Sequence, residues 1–378
     1  DAKKGQFWLQ APQRSMSNNS AVYDEKPSSL DFLREWMSLA ESGTGERGIF
    51  NRAGICKQRP KRRKSAVFGT NPCGEIALRP KSFCNLSIAV ARENDTEETL
   101  TQKVRTAAIL GTLQSCLTNF GYLSEEWKKN CEEERLLGVD IMGQMDCPIL
   151  KPGAPGRELL LERLRETAIK TNEEYANRLG INPSVAVTCK KPGGNSAQAL
   201  DCNAWAWYSS HFIRRVRAGS YDPLTKMLQD AGVPWYPEVG QQRDTCTVVV
   251  FEFPMKSPEG AITRNDMNAL EQLEDWLVWK KHYTEHNPSI TIYVDDHEWL
   301  DVAYWVYNNW EWVGGISFLP KDGGIYSLAP YSEISKEEYE KRAAKFPEIP
   351  WDKLRYYETS DETTSSREFA CVSGACDL

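Results

Sequence analysis

The chain has 378 residues, of which 40% are hydrophobic and 26% charged, and its formal net charge is -7. This length permits one large α/β unit or two domains, and the composition is that of a globular protein. The acidic balance argues against a protein that coats nucleic acid, and no stretch approaches the roughly 18 uninterrupted apolar residues of a membrane span. No secretory signal opens the sequence, which begins at Asp1, so we expect a cytoplasmic protein that is a processed chain or a fragment.

Eleven cysteines are scattered along the chain. An odd number in a chain of this length fits a reducing compartment with functional thiols better than a disulfide scaffold. A zinc site is a poor fit, because Cys371 and Cys376 are the one close pair and neither a second pair nor a histidine cluster accompanies them. His282 and His286 have helical spacing but lack the glutamate of a metalloprotease motif, which favours ordinary surface histidines.

Helix-like and strand-like segments alternate along the chain, and no internal repeat is detectable. Leu179-Gly180 is typical of a helix end, and Ser335 with Glu338 is typical of a helix start. The alternation predicts an α/β fold with a mainly parallel sheet, open or closed into a barrel. The predicted helices are 101–120, 157–178, 265–286 and 336–345, and the predicted strands are 185–189, 245–253, 290–294 and 312–319.

The most informative stretch reads Phe68-Gly69-Thr70-Asn71-Pro72-Cys73-Gly74-Glu75-Ile76. Glycines on both sides of a Pro-Cys pair predict a turn that carries a thiol and a carboxylate into one cavity. If the segment were extended, Asn71, Cys73 and Glu75 would share one face. A thiol beside an amide and a potential base indicates chemistry on a polar substrate, and the alternative is a buried structural cysteine.

Two further elements bear on the same chemistry. Cys84 lies eleven residues beyond Cys73, so a hairpin-like return would bring a second thiol near the first. The stretch 190–197 places a glycine loop after a predicted strand and before a possible helix start, a geometry that presents backbone N–H groups to a phosphate. A plain turn is an equal alternative for that stretch.

Two segments are less regular. The basic run Lys57–Lys64 favours a solvated loop over a site for phosphate or a partner. The tail 359–378 is rich in Ser, Thr and acidic residues and is predicted to be mobile. Its small spacer between Cys371 and Cys376 would let the two thiols form a reversible disulfide, against the alternative of two incidental exposed thiols.

Taken together, these motifs resemble the large catalytic chain of ribonucleotide reductase, most of all its adenosylcobalamin-dependent class II form. The run Asn71–Ile76 is the most specific match. The resemblance implies the later part of a ten-stranded α/β barrel over residues 1–358, with the Cys73 finger loop inside, followed by a mobile redox tail over 359–378. The other matching runs are Ser15–Ser20, Gly45–Arg52, Cys84–Leu86, Arg135–Val139, Lys191–Gly194, Arg214–Arg217, Asp222–Leu224 and the Cys-x4-Cys tail.

The resemblance also implies roles for individual residues. Cys73 would carry a thiyl radical that removes the 3′ hydrogen of the ribose, and Glu75 would accept the proton of the 3′ hydroxyl. Asn71 would orient the ribose hydroxyls and the loop, and Cys84 would be one of two reducing thiols. The tail cysteines Cys371 and Cys376 would then reduce the resulting disulfide and be regenerated by thioredoxin or glutaredoxin. Adenosylcobalamin would supply the radical by homolysis of its cobalt–carbon bond.

Substrate binding is implied at two places, with triphosphates favoured weakly over diphosphates. Relatives commonly have Lys-Pro-Ser-Gly-Thr in the loop where this chain has Lys191-Pro192-Gly193-Gly194-Asn195-Ser196. A hydroxyl contact to phosphate is therefore lost or shifted to Ser196. The implied substrate-binding residues are Ser15, Ser17, Pro192, Gly193, Gly194, Asn195 and Ser196.

The family's second reducing cysteine is expected on an early barrel strand ahead of Ser15, but no cysteine precedes Cys56. We therefore expect either a split subunit with an N-terminal partner chain or a fragment. One alternative is a class I large subunit with a metal-radical partner, but the segment 317–330 contains a lone Tyr326, and the pair Tyr356-Tyr357 lies near the tail. Another alternative is a catalytically silent assembly module.

Overall fold

The computed structural model describes residues 10–11, 13–14, 20–43, 48–321 and 327–358. The chain divides into two compact units. The large unit comprises the described residues of Asn19–Ala206 and Asp266–Asp322, and the small unit those of Asp1–Asn18, Trp207–Asn265 and Gly323–Asp377. The sequence did not indicate this subdivision. The predicted boundary between barrel and tail at 358/359 coincides with the end of the described residues and stays a prediction.

The elements are numbered in chain order. The strands are β1 (Ser20–Tyr23), β2 (Gly48–Asn51), β3 (Gly69–Thr70), β4 (Ala77–Leu78), β5 (Asn85–Val90), β6 (Leu137–Met142), β7 (His211–Gly219), β8 (Trp235–Pro237), β9 (Val248–Lys256), β10 (Thr291–Val294), β11 (Gly315–Pro320) and β12 (Tyr331–Glu333). The helices are α1 (Ser29–Ser42), α2 (Arg52–Gln58), α3 (Glu97–Gln114), α4 (Glu125–Glu134), α5 (Arg157–Leu179), α6 (Gly194–Ala199), α7 (Pro223–Asp230), α8 (Ala269–His282), α9 (Trp299–Asn308), α10 (Lys336–Ala343) and α11 (Leu354–Tyr357).

Parallel strand pairs build the large unit. β1 pairs with β2, β10 with β11 and β5 with β6, each in parallel. β11 runs antiparallel to β2, which gives one sheet in the order β1-β2-β11-β10. Parallel bridges from Val139 to Thr188 and from Lys190 to Pro288 connect the β5–β6 pair with the segment that leads into β10. The unit is therefore mixed α/β, and its described strands do not close into a ring.

Helix α8 lies between the two halves of the large unit's core. Its Trp276 packs into a cluster formed with α1, α9, β10 and β11. Its Trp279 packs into a second cluster formed with α3, α5, β5 and β6. Both indoles are fully buried, and Trp276 Nε1 also donates to the carbonyl of Pro288 at 2.5 Å. One helix thus holds both clusters and the segment that follows it.

Helix boundaries follow the local capping chemistry. Gly180 ends α5 with φ of 66°, and the Ser335 side chain accepts from the Glu338 N–H at the start of α10, as the sequence predicts. The predicted start of α8 at 265 is wrong, because Asn268 and Glu271 form a capping box that begins the helix at Ala269. None of the described helices is both long enough and apolar enough to cross a bilayer.

Two predictions about this architecture are wrong. The small unit's sheet, in the order β12-β7-β9-β8, is antiparallel throughout. Val249 and Phe251 on one face of the sheet pack into a core, whereas Arg215 and Arg217 on the other face pair with Glu252 and Glu238, an arrangement that antiparallel sheets tolerate. His286 is not a surface residue: it is 2% exposed, and burial lowers the pKa of its imidazole to about 3.

We expect the buried ion pair between Arg157 of α5 and Asp275 of α8 to be essential for stability. Both side chains are almost fully buried. Asp275→Asn leaves the guanidinium buried without its counter-charge, which costs about 3–5 kcal/mol of unfolding free energy. Glu97→Gln removes the half-exposed partner of Arg163 and should cost less than about 1 kcal/mol. Urea unfolding of both variants measures the difference, and equal costs would contradict the assignment.

Candidate active site

The Cys73 loop is the tip of a short hairpin in the large unit. Its strands β3 and β4 pair antiparallel. The Gly74 N–H donates to the Asn71 carbonyl at 3.0 Å, and the Ile76 N–H donates to Asn71 Oδ1 at 3.0 Å. Gly74 has φ of 81°, a conformation that favours glycine. The loop is therefore the predicted tight turn and not an extended strand, and the Asn71 side chain shapes it from inside.

A second segment holds this turn from outside. The Asn287 N–H donates to the Glu75 carbonyl at 3.1 Å, and Asn287 Nδ2 donates to the Gly74 carbonyl at 3.0 Å. The Ser289 hydroxyl donates to the Cys73 carbonyl. We call residues 287–289 the clamp. Sequence reasoning missed it, although the polar run Asn287-Pro288-Ser289 directly after a predicted helix was a signal for a structured turn.

The carboxylate of Glu75 is buried, and in the described part of the chain its charged partner is a lysine. Its Oε1 accepts from Lys191 Nζ at 2.8 Å, and the two side chains are 0% and 14% exposed. Glu75 Oε2 is buried and has no hydrogen-bond partner among the described residues. Burial lowers the pKa of Lys191, but the carboxylate outweighs this effect, so the pKa is raised overall. The sequence grouped Lys191 with the phosphate loop, whereas its ammonium binds the predicted base.

Cys84 lies in the same electrostatic neighbourhood. Burial, followed by the charge of Glu75, raises the pKa of its thiol to about 12, while Lys191 acts in the opposite direction. Cys73 contributes a smaller upward effect. Cys84 therefore keeps its S–H at neutral pH. The structure thus places Cys84 near enough to Glu75 and Cys73 for both to act on its thiol, in keeping with the predicted return of the chain toward Cys73.

A further thiol and a further carboxylate lie behind this group. Cys189 is fully buried, and burial, Asp140 and Glu75 together raise the pKa of its thiol well above the usual value. Asp140 is also fully buried, and burial raises its pKa against the effect of the Lys190 ammonium, which lies 3.8 Å away. Sequence reasoning missed both, although Cys189 directly precedes the lysine-glycine loop.

Gly138 of β6 makes room for this arrangement. A Cβ at that position would lie 2.5 Å from Leu86 Cδ2, 2.8 Å from Ile76 Cδ1 and 3.1 Å from Cys189 Sγ. Strand β5, the Cys73 hairpin and the segment before Lys191 thus meet where β6 has no side chain. Any larger residue would displace at least one of the three.

The lysine-glycine loop has the predicted order of strand-like segment, turn and helix. Gly193 has φ of 79°, and a Cβ there would lie 2.7 Å from the Ala204 Cβ. Helix α6 follows, with the Ala197 N–H donating to the Gly193 carbonyl at 2.9 Å. Pro192, Gly194 and Ser196 are partly exposed, and the Asn195 side chain lies outside the described residues. Ser15, Ser17, Cys371 and Cys376 also lie outside them.

The basic run 57–64 is not a solvated loop throughout. Arg62 makes a bidentate pair with Glu285, and the 2% exposed side chain of Arg63 pairs with Glu134 at 2.8 Å. Arg59 Nε donates to the Arg63 carbonyl at 2.9 Å. Arg62 and Arg63 attach the loop to the body of the large unit, and Arg59 braces it from within. They are engaged within the chain, which argues against a phosphate site built from them.

We expect Asn287→Ala to loosen the Cys73 turn. The change removes the side-chain bonds to the Gly74 and Gly315 carbonyls and leaves partly buried acceptors unpaired, at a cost of about 1–3 kcal/mol. Hydrogen exchange of the 71–76 amides should accelerate. Asn182→Ala is the control, because that exposed side chain donates to the Glu132 carbonyl elsewhere in the large unit. An unchanged hydrogen-exchange rate at 71–76 in the Asn287→Ala variant would contradict the clamp.

We also expect Cys84 to be slow toward alkylation in the folded chain. Iodoacetamide reacts with the thiolate, and a pKa of about 12 leaves little thiolate until the pH rises toward that value. At pH near 8.5 the folded thiol should react at least about a hundredfold more slowly than Cys84 in denaturant. Peptide mass spectrometry over a pH series measures both rates. A plateau of the folded rate below pH 9 would contradict the raised pKa.

Comparisons with known proteins support one family. No family model matches the chain. The chain is 24% identical over 348 residues to an adenosylcobalamin-dependent ribonucleoside-triphosphate reductase of Lactobacillus helveticus, which covers 82% of this chain and 45% of the relative. It is 24% identical over 417 residues to the enzyme of that name from Levilactobacillus brevis, covering 97% of this chain and 53% of the relative. The chain thus spans about half the length of the curated relatives it matches.

A solved structure agrees with these relatives. The crystal structure of a B12-dependent, class II ribonucleotide reductase superimposes with a TM-score of 0.71 at 21% identity. The match covers 94% of this chain and 54% of that one. The fold is therefore shared over nearly the whole chain, and the resemblance inferred from the sequence motifs is confirmed: the chain is similar to adenosylcobalamin-dependent ribonucleoside-triphosphate reductases over most of its length and has the fold of a class II ribonucleotide reductase.

Proposed function

We propose that this chain is the catalytic part of a ribonucleotide reductase that converts ribonucleoside triphosphates to 2′-deoxyribonucleotides through a thiyl radical. One observation carries the proposal: a buried carboxylate, Glu75, lies with the thiols of Cys73 and Cys84 on and beside a clamped turn. The names of the relatives supply the substrate class, and the triphosphate preference comes from them.

Cys73 takes a hydrogen atom from C3′ of the ribose in this proposal. Glu75 Oε2, which has no hydrogen-bond partner among the described residues, accepts the proton of the 3′ hydroxyl while the 2′ hydroxyl leaves as water. Cys84 and a second thiol supply two electrons and two protons and become a disulfide, and Cys73 returns its hydrogen atom to C3′. The raised pKa of Cys84 supports this role, since the reaction uses an S–H bond and a nucleophilic cysteine would need a low pKa.

Adenosylcobalamin is the proposed cofactor, and when bound it supplies the one-electron chemistry that oxidises the Cys73 thiol. The exposure of Cys73 fits this requirement. Its side chain is half-buried at the tip of the hairpin, so a bound radical source can reach it, whereas Cys189 is fully enclosed. Ser289 holds the Cys73 carbonyl and so keeps the residue at the tip.

We further propose that the chain is the later part of a ten-stranded barrel and that an N-terminal partner completes it. In the described part of the chain, β5 pairs with β6 alone and β1 with β2 alone, so each leaves one strand edge open. Open edges of this kind recruit further strands. Helix α3 packs on β5, and its Leu110 and Leu113 are exposed. These apolar side chains suit a surface that the partner chain would cover.

The second reducing thiol would come from this partner. Cys189 is a poor candidate because it lies at a different level of the sheet from Cys84. Asn85, the residue after Cys84, pairs with Leu137 of β6, whereas the Cys189 N–H donates to the carbonyl of Val139, further along β6. Two strand spacings and this offset put the Cα atoms of Cys84 and Cys189 on the order of 15 Å apart. A disulfide needs Cα atoms within roughly 7 Å.

The remaining parts of the proposal rest on the family resemblance. Ser15 and Ser17 with the loop Pro192–Ser196 would bind the substrate, including its phosphates. Cys371 and Cys376 would reduce the Cys84 disulfide and be reloaded by thioredoxin or glutaredoxin. A cytoplasmic location stays a prediction. The class I alternative is disfavoured by the names of the relatives. Tyr326 lies outside the described residues.

The decisive experiment is reduction of a ribonucleoside triphosphate by the chain together with a co-purified N-terminal partner, adenosylcobalamin and a dithiol. Cys73→Ser should abolish product, and Glu75→Gln should lower kcat by about a hundredfold or more, since a general base contributes roughly 10²–10⁴. Cys56→Ser is the control, because that half-buried thiol donates to the Ala66 carbonyl outside the site. Activity that survives Cys73→Ser would leave the silent assembly module as the better reading.

The partner proposal has its own test. Mild oxidation of the chain alone, followed by peptide mapping, should leave Cys84 without an intrachain disulfide to another barrel cysteine. Mixing with the partner should produce a disulfide that joins Cys84 to it. Full activity of the purified chain alone, or an intrachain disulfide from Cys84 to Cys131 or Cys189, would overturn the requirement for a second chain.

A further inference from the structure

The lysine at the head of the glycine loop has two possible tasks that the structure separates. As part of a phosphate cradle, Lys191 would present its ammonium to the substrate's phosphates. In this structure the ammonium instead lies 2.8 Å from Glu75 Oε1, and the Lys191 side chain is 14% exposed. Its neighbours Pro192 and Gly194 remain partly exposed and are free to face a ligand. The Lys191 side chain therefore contacts the proposed base Glu75, and the glycine loop is left to contact the phosphates.

We propose that Lys191 is the positioning residue of the general base: its ammonium holds Glu75 through Oε1 and leaves Oε2 as the oxygen that takes the substrate's proton. This proposal rests on the proposed function and deepens it. In the step itself the O–H bond of the 3′ hydroxyl breaks and a new O–H bond forms on Oε2. Lys191 stays protonated throughout, so the charge of the buried pair changes by the one proton that Glu75 gains.

The division between the two oxygens follows from burial. A carboxylate taken out of water needs a counter-charge and hydrogen bonds, and Oε1 obtains both from Lys191. Oε2 is equally buried and has no partner among the described residues, which is costly unless a ligand supplies one. The turn itself cannot rotate to satisfy Oε2, because Asn287 holds the Glu75 carbonyl and the adjacent Gly74 carbonyl.

Other charged groups around the pair do not replace Lys191. Asp140 and the thiols of Cys84, Cys189 and Cys73 can add only negative charge, and only when they ionise. The neighbouring ammonium, Lys190, is directed elsewhere: its Nζ donates to the carbonyls of Ile141 and Ala204. Lys191 is thus the one ammonium bound to Glu75 in the described part of the chain.

The test combines thiol reactivity in the isolated chain with kinetics in the complete enzyme. In the chain alone at pH 9, Lys191→Met should slow alkylation of Cys84 by about three- to tenfold, since the nearby positive charge that favours the thiolate is lost. Glu75→Gln should accelerate it by a similar factor. Lys191→Arg should retain most of the wild-type rate. The control is Lys103→Met, which breaks a lysine–aspartate pair with Asp95 away from the site.

The sign of the change in Cys84 alkylation rate caused by Lys191→Met shows whether Lys191 positions the base or only supports the fold. If Lys191 only stabilised the fold, its loss would expose Cys84 and accelerate alkylation. In the complete enzyme with a ribonucleoside triphosphate, Lys191→Met should lower kcat at least about tenfold with KM nearly unchanged, and Lys191→Arg should restore part of kcat. A rise in KM with kcat retained assigns Lys191 to the phosphates and overturns the proposal, as does faster or unchanged Cys84 alkylation.

Failure of the proposed function is distinguishable from failure of this inference. If the wild-type complex reduces no ribonucleotide, the reductase proposal falls. The alkylation rates of Cys84 in the Lys191 and Glu75 variants still show whether the Lys191 ammonium offsets the negative charge of Glu75.

Discussion

Three consecutive carbonyl groups, those of Cys73, Gly74 and Glu75, accept hydrogen bonds from one short segment, Asn287 to Ser289. A turn of this kind has few contacts of its own, since β3 and β4 are only two residues long. The clamp in turn is fixed by Trp276 of α8, whose indole binds the Pro288 carbonyl from within the core. The position of Cys73 is therefore set by the core of the large unit.

The same arrangement explains why buried charge is tolerated beside the thiols. Glu75 pairs with Lys191, and the ammonium of Lys190 lies 3.8 Å from Asp140, so each carboxylate has an ammonium nearby on the same two-residue stretch. Around Cys84, burial and the charge of Glu75 still outweigh the charge of Lys191, so a thiolate is unfavourable there. The thiols of Cys84 and Cys189 therefore keep their protons beside a buried carboxylate that is paired with an ammonium.

Sequence reasoning reached the turn because its signals are local. Glycines around Pro72-Cys73 and the spacing to Cys84 were sufficient to predict that the two thiols and Glu75 meet. It missed Asn287 and Ser289, which lie more than two hundred positions away and act through backbone carbonyls that carry no sequence signature. It also misplaced Lys191, because a lysine before glycines is typical of a phosphate loop whichever way its side chain turns. The antiparallel sheet of the small unit escaped for a similar reason, since strand direction depends on long-range pairing.

The missing side chain of Gly138 bears on how the chain folds. Leu86 of β5, Ile76 of the hairpin and Cys189 converge on that one point from three separate stretches of sequence. The hairpin cannot acquire its final contacts until β5, β6 and the segment before Lys191 have already assembled. We therefore expect the Cys73 hairpin to join late on the folding pathway. Substitutions at Ile76 should then speed unfolding and leave the folding rate nearly unchanged. Substitutions at Ile76 that slow folding as much as substitutions in the α8 core would exclude this order.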